Sequence, residues 1–155
     1  MVTSDAVASM FSGVRGWTVN TGDFSKYILM ADVTRWYNST STSQTQNVGF
    51  MGMLTRYRSS GQQANSTCMI TLSVGWYRNN QQLPNDIISN IAKSETSQQS
   101  MYSLCIISYE NKIYLAIRLN TLQAGINTFF GYSSQQPLLT VLTRNETVTE
   151  LYVVQ

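Results

Sequence analysis

The stretch TCMITLSVGW, Thr67–Trp76, decides the fold. Cys68, Ile70, Leu72, Val74 and Trp76 fall on one side of a two-residue period, with Thr71, Ser73 and Gly75 on the other. That period belongs to a β-strand with one buried face; a helix would bring its apolar residues back every three or four positions. The same signal recurs on both sides of it. Tyr27–Thr34 puts Tyr27, Leu29, Ala31 and Val33 on one face, and Gly49–Arg58 sets Phe50, Gly52 and Leu54 against Met51, Met53, Thr55 and Tyr57. Met101–Tyr109 and Lys112–Leu119 flank Glu110-Asn111, the length and chemistry of a two-residue hairpin turn. Leu138–Thr143 and Thr147–Val154 flank Arg144-Asn145-Glu146 and read as a final hairpin. Shorter candidates lie at Arg15–Asn20, Ile87–Ile91 and Thr128–Tyr132.

About eight to ten short strands without crossover helices indicate an all-β antiparallel sandwich. One helix is expected ahead of it. Thr3–Gly13 has a capping Thr3 or Ser4, an acidic Asp5 in the first turn, an apolar stripe of Val7, Met10 and Phe11, and a terminating Gly13. A helix this short needs a packing partner. The expected division is therefore a helical connection over residues 1–14 and a sandwich over 15–155. Gly49–Tyr57 and Met101–Tyr109 are apolar on both faces, whereas a lone two-sheet sandwich shows polar outer faces. The expectation is that another subunit buries the second face, a covering loop being the other way to do it.

A chain of 155 residues fits one domain with a sizeable core. Ser, Thr, Asn and Gln make up 60 of the 155 residues, and only 12% are charged, so hydroxyls and amides dress the surface. An apolar share of 43% excludes a disordered polar tract. The net charge of +2 is too small for an electrostatic nucleic-acid binder. No apolar run reaches the ~18–20 residues needed to cross a bilayer, and Met1–Gly16 lacks the basic and apolar regions of a signal peptide. Cys68 and Cys105 both lie in strand-like stretches, where two buried free thiols are expected ahead of a disulfide. The sequons at Asn38, Asn65 and Asn145 match what chance gives in so Asn-, Ser- and Thr-rich a chain.

The chain contains no histidine, which removes Ser–His–Asp and Cys–His nucleophiles and every His-containing zinc site. Asp23, Asp32, Asp86, Glu95, Glu110, Glu146 and Glu150 are scattered over strand ends and turns without a paired motif. They read as solvated turn residues, and neither an enzyme, a metal site nor a cofactor is expected.

Binding is the open class. Trp17, Trp36-Tyr37, Trp76-Tyr77-Arg78 and Tyr132 stand at strand ends, where aromatic faces beside amides suit sugars, although such rings also close sandwich ends or fill interfaces. Arg56 and Arg58 share a strand face and could hold a carboxylated sugar, or pair with acids, or guard a strand against sideways pairing. The polar run Asn38–Asn47 reads as an exposed loop, either a binding loop or a connector. The candidate ligand-binding set is thus Trp36, Tyr37, Arg56, Arg58, Trp76, Tyr77, Arg78 and Tyr132.

The opening Val2-Thr3-Ser4-Asp5-Ala6-Val7-Ala8 resembles a short segment recurrent in bacteriophage tail-fibre and baseplate proteins, where it precedes a C-terminal head domain. The body, with Lys26–Val33 and Gly49-Phe50-Met51-Gly52 followed by Arg56 and Arg58, resembles the β-sandwich heads of those fibres. The end, Glu150–Gln155, stops directly after a strand and is similar to adenovirus fibre heads. Both resemblances imply a homotrimeric attachment head at a viral fibre tip, displayed on the virion and binding a host-surface glycan or protein receptor. The opening segment favours the phage. A trimeric signalling head of the tumour-necrosis-factor or C1q type, a carbohydrate-binding module and a purely structural fibre cap are the other classes. Neither fibre resemblance carries binding residues over.

Overall fold

The computed structural model of the chain describes residues 14–34, 46–57, 66–76, 90–95, 101–121 and 124–154. Ten strands run through them: β1 (Val14–Thr21), β2 (Ser25–Asp32), β3 (Gln46–Tyr57), β4 (Ser66–Trp76), β5 (Asn90–Glu95), β6 (Tyr102–Tyr109), β7 (Lys112–Leu119), β8 (Gly125–Ser133), β9 (Thr140–Thr143) and β10 (Thr149–Val154). They form two five-stranded sheets, ordered β1-β8-β3-β4-β5 and β10-β6-β7-β2-β9, with every pairing antiparallel. The expected N-terminal helix lies outside the described residues. The polar run ending at Asn47 is shorter than expected, because β3 already begins at Gln46.

The β6–β7 hairpin turns on Glu110 and Asn111, both left-handed at φ 48° and 63°. Two successive left-handed residues are what a two-residue turn needs to follow the right-handed twist of its strands. The expected hairpin between β9 and β10 does not form. β9 pairs with β2, placing Leu142 opposite Tyr27, while β10 pairs with β6, placing Val153 opposite Cys105. The turn is tied elsewhere: the Arg144 N–H donates to the Phe24 carbonyl at 2.9 Å, and the Thr143 hydroxyl donates to the Glu146 carboxylate at 2.8 Å. The chain thus passes from one edge of the second sheet to the other.

The main core lies between the sheets. Phe50, Leu54, Ile70 and Leu72 from the first meet Ile28, Met30, Leu104, Ile106, Leu115 and Ile117 from the second. Burying each aliphatic side chain contributes about 1.5–3 kcal/mol. Trp17 stacks on Phe129, ring centroids 5.3 Å apart, and so belongs to the packing rather than to a ligand surface. Cys68 sits in this core. A polar bridge crosses it: the Tyr102 hydroxyl donates to Asn127 Oδ1 at 3.0 Å, and Asn127 Nδ2 donates to the Val19 carbonyl and to Thr21 Oγ1.

The second sheet carries another apolar cluster on its outer face, formed by Tyr27, Leu29, Cys105, Ile107, Ala116 and Leu142 with Val148 and Val153 packed against it. Register shifts at Leu29/Ala31, Ser25/Tyr27 and Glu150/Tyr152 mark bulges, which sharpen twist and curl the sheet over this face. The curl is deep enough for Tyr27 on β2 to donate its hydroxyl to Glu150 Oε1 on β10 at 2.7 Å, although β6 and β7 lie between the two strands. This corrects one expectation: the chain itself buries the second face of Met101–Tyr109, because the edge strands and their connection fold over it. Both cysteines are buried thiols outside any disulfide, Cys105 lying outside the main core with its thiol donating to the Ala116 carbonyl at 3.4 Å.

Candidate functional site

The outer end of the β6–β7 hairpin opens into a groove of about 450 Å³. Local sequence builds its walls. Glu110 occupies the first left-handed turn position, Tyr109 precedes it at the end of β6, and Lys112 and Tyr114 follow on β7. Sheet order brings in the rest: Asp32 stands opposite Tyr114 in the β2–β7 register, and Glu146 arrives from the connection between β9 and β10. Leu29, Val141 and Leu142 add apolar lining. A second groove of about 450 Å³ shares Tyr109, Glu110 and Glu146 and adds the hydroxyls of Ser108, Thr147 and Thr149.

Two of the three carboxylates also fasten the backbone. Asp32 Oδ1 accepts from the Thr34 N–H at 3.0 Å and from its hydroxyl at 2.6 Å. Glu146 accepts from the Thr143 N–H and hydroxyl. Each carboxylate keeps lone pairs for a further donor. Burial and the nearby Glu110 charge push the Tyr109 phenol above its usual range; burial and then Asp32 do the same for Tyr114. Both phenols therefore stay protonated donors near neutral pH. The groove thus offers two phenol rings and several acceptors, with Lys112 the cation among its lining residues. Among the described residues no cluster of acids and thiols is arranged to hold a metal ion.

A separate polar cluster lies on the outer face of the second sheet. Arg118 Nη1 contacts both carboxylate oxygens of Glu150 at 2.8 Å, and its Nε and Nη2 reach Asn120 and Ser103. Burial raises the Glu150 carboxyl, but hydrogen bonds from Arg118 and Tyr27 outweigh it and hold the group below its ordinary value. This cluster is internally paired and acts as a clasp between β10, β7 and β2.

Of the ligand-binding residues expected from sequence, only the side chains of Arg56 and Tyr132 are described, and they lie on opposite faces of the first sheet. Trp36, Tyr37, Arg58, Tyr77 and Arg78 lie outside the described residues, as does the ring of Trp76, whose backbone ends β4 opposite Gln46. Arg56 is only 2% exposed, and its Nη1 donates to Thr121 Oγ1 at 2.6 Å. Tyr132 is exposed, on the outer face of the first sheet opposite Met51. The groove residues were legible only as turn chemistry: Glu110-Asn111 marked a hairpin, but nothing in the sequence placed Asp32 or Glu146 beside it. Comparison with known proteins finds no matching family model, curated protein or solved structure.

Proposed function

We propose that this chain is the receptor-binding head at the tip of a homotrimeric viral fibre of the bacteriophage tail type, attaching the virion to host-surface glycans. The likeness of the opening segment to phage fibre proteins supports it, as does the low-charge, amide- and hydroxyl-rich sandwich. The observation that carries the binding assignment is the Tyr109–Tyr114 groove with its carboxylates.

Sugar C–H faces stack on phenol rings, and sugar hydroxyls donate to carboxylates. A groove of about 450 Å³ suits a short glycan segment. Three carboxylates repel an acidic sugar, so the ligand is neutral or amino-bearing. An open site of this kind binds weakly, at about millimolar affinity or roughly 4 kcal/mol. Three copies on one fibre raise the avidity on a surface dense in receptor.

The test is a glycan array and a host-cell binding assay with the wild-type domain, Tyr109→Ala and Tyr114→Ala, with melting measured alongside. The expected result is a 10-fold or greater loss of neutral-glycan binding in both variants, which remain folded. No binding of the wild-type domain to any glycan or host surface overturns the reading. Loss confined to Trp36→Ala, Tyr37→Ala or Tyr77→Ala moves the site to those strand-end rings. Assays for glycoside, ester and peptide hydrolysis are expected to show no turnover; turnover lost in a folded Glu110→Gln variant would make the groove catalytic instead.

A further inference from the structure

Among the described residues, the outer face of the first sheet gathers most of the exposed large apolar side chains. Met51 and Met53 on β3, Met69 on β4, and Phe130 and Tyr132 on β8 stand on it side by side, Met53 being opposite both Phe130 and Met69, and Met51 opposite Tyr132. Ile126 and Tyr57 extend the patch at its far end, where they face each other across β8 and β3. All seven side chains are between 42% and 64% exposed. Between the two ends runs a row of threonines, with Thr55 opposite both Thr128 and Thr67 and hydrogen-bonded to Thr128.

We propose that this face is where a second copy of the same chain docks. Two observations select that occupant. The first is area. At about 200 Å² per side chain, the exposed parts of these seven residues amount to roughly 740 Å², close to the ~800 Å² that each partner brings to a standard protein interface. The second is charge. Every described side chain on this face is uncharged: the remaining positions are Thr, Asn and Gly. Interface cores between like subunits are depleted of charge and enriched in Met and aromatics. A face with no charge pattern selects no oppositely charged partner, and it meets a copy of itself without burying an unpaired ion. On the other sheet, the outer apolar cluster is already covered by the chain.

This deepens the fibre-head reading and rests on it only for the number of copies. The test is sedimentation of the full chain from 1 to 100 µM, wild type beside Met53→Glu and Phe130→Glu, with circular dichroism as the control for folding. The expected result is an oligomer for the wild type and a monomer for both folded variants, a shift in association constant of at least 100-fold. A dimer would support the docking face and overturn the trimeric fibre head; a trimer lost in the variants supports both. A wild-type monomer at 100 µM overturns the proposal, as does an oligomer that both folded variants retain. Should the variants not fold, peroxide footprinting of the wild type decides. Met51, Met53 and Met69 are expected to gain protection from oxidation as the protein is concentrated through the association range. Protection independent of concentration, in a particle of monomer mass, would assign the cover to the chain's own residues and overturn docking by a copy.

Discussion

Gly52 on β3 and Gly131 on β8 stand opposite each other so closely that a Cβ added to either would lie 2.6 Å from the other's Cα. The Phe129 ring closes over the same spot, 3.1 Å from a Cβ built on Gly52. Backbone atoms cannot swing away as a flexible side chain would. Gly52→Ala and Gly131→Ala are each expected to cost about 2–3 kcal/mol, measured as a lower urea midpoint with an unchanged slope. Gly16→Ala, where the nearest atom would be 3.6 Å away, is the control and shifts the midpoint far less.

Tyr102 and Asn127, both fully buried, make the hydrogen bond that crosses the core. Tyr102→Phe leaves Asn127 Oδ1 without that donor and is expected to cost about 1–2 kcal/mol. Asn127→Leu removes the partner of Tyr102, Val19 and Thr21 together and costs more. Equilibrium denaturation of the two single variants and the double variant measures the coupling, expected to exceed 0.5 kcal/mol by the usual behaviour of shared networks.

Acid should act through Glu150. Its folded-state pKa lies below the ordinary 4.5, so the folded protein holds this proton less tightly than the unfolded chain. The stabilisation is complete above the unfolded value and is lost as the pH falls through the folded one. The carboxylate is partly open to solvent, with 29% of the side chain exposed, so its worth is on the order of 0.5–1 kcal/mol. Glu150→Gln is expected to lower the melting temperature at pH 7 and to flatten its fall between pH 5 and pH 3. An acid limb identical to wild type would show that Arg118 and Tyr27 gain nothing from the charge.

The buried thiols are expected to be silent. Burial first, and then the Glu150 charge, push Cys105 up to about 12, so it stays a thiol at pH 8. Native protein should react with neither iodoacetamide nor a disulfide reagent within hours, and both cysteines should react at once in 6 M guanidinium. Because the folded group binds its proton more tightly than the unfolded one, its stabilising effect is present at neutral pH and declines as the pH rises above 9.

Much of this architecture is written locally. Alternation in Thr67–Trp76 and the Glu110-Asn111 turn translate directly into β4 and the β6–β7 hairpin, since each depends on residues adjacent in sequence. The pairing of β9 and β10 is not local. Arg144-Asn145-Glu146 looks like any short turn, and the pairing of β9 with β2 and of β10 with β6, with the Arg144 N–H bonded to the Phe24 carbonyl, reveals that it redirects the chain. The same limit hid the groove: Asp32, Glu110 and Glu146 become neighbours through sheet order. Apolar residues on both faces meant two different things, a self-covered cluster around Cys105 and Ile107 and an open face around Met53 and Phe130. Periodicity reports that a face is apolar; bulges and edge strands determine what covers it.

The order β10-β6-β7-β2-β9 has a consequence for synthesis. β2 lies between strands encoded far downstream, and β1 pairs only with β8. At 5–20 residues per second a ribosome releases these first two strands on the order of ten seconds before their neighbours exist. Neither sheet can therefore close until β7, β8 and β9 have been made, and Tyr27-Ile28-Leu29-Met30-Ala31 waits until then as an unpaired apolar strand. Ribosome-bound chains truncated before Thr140 should accordingly remain protease-sensitive throughout, with protection of the N-terminal strands appearing only after the last segments emerge.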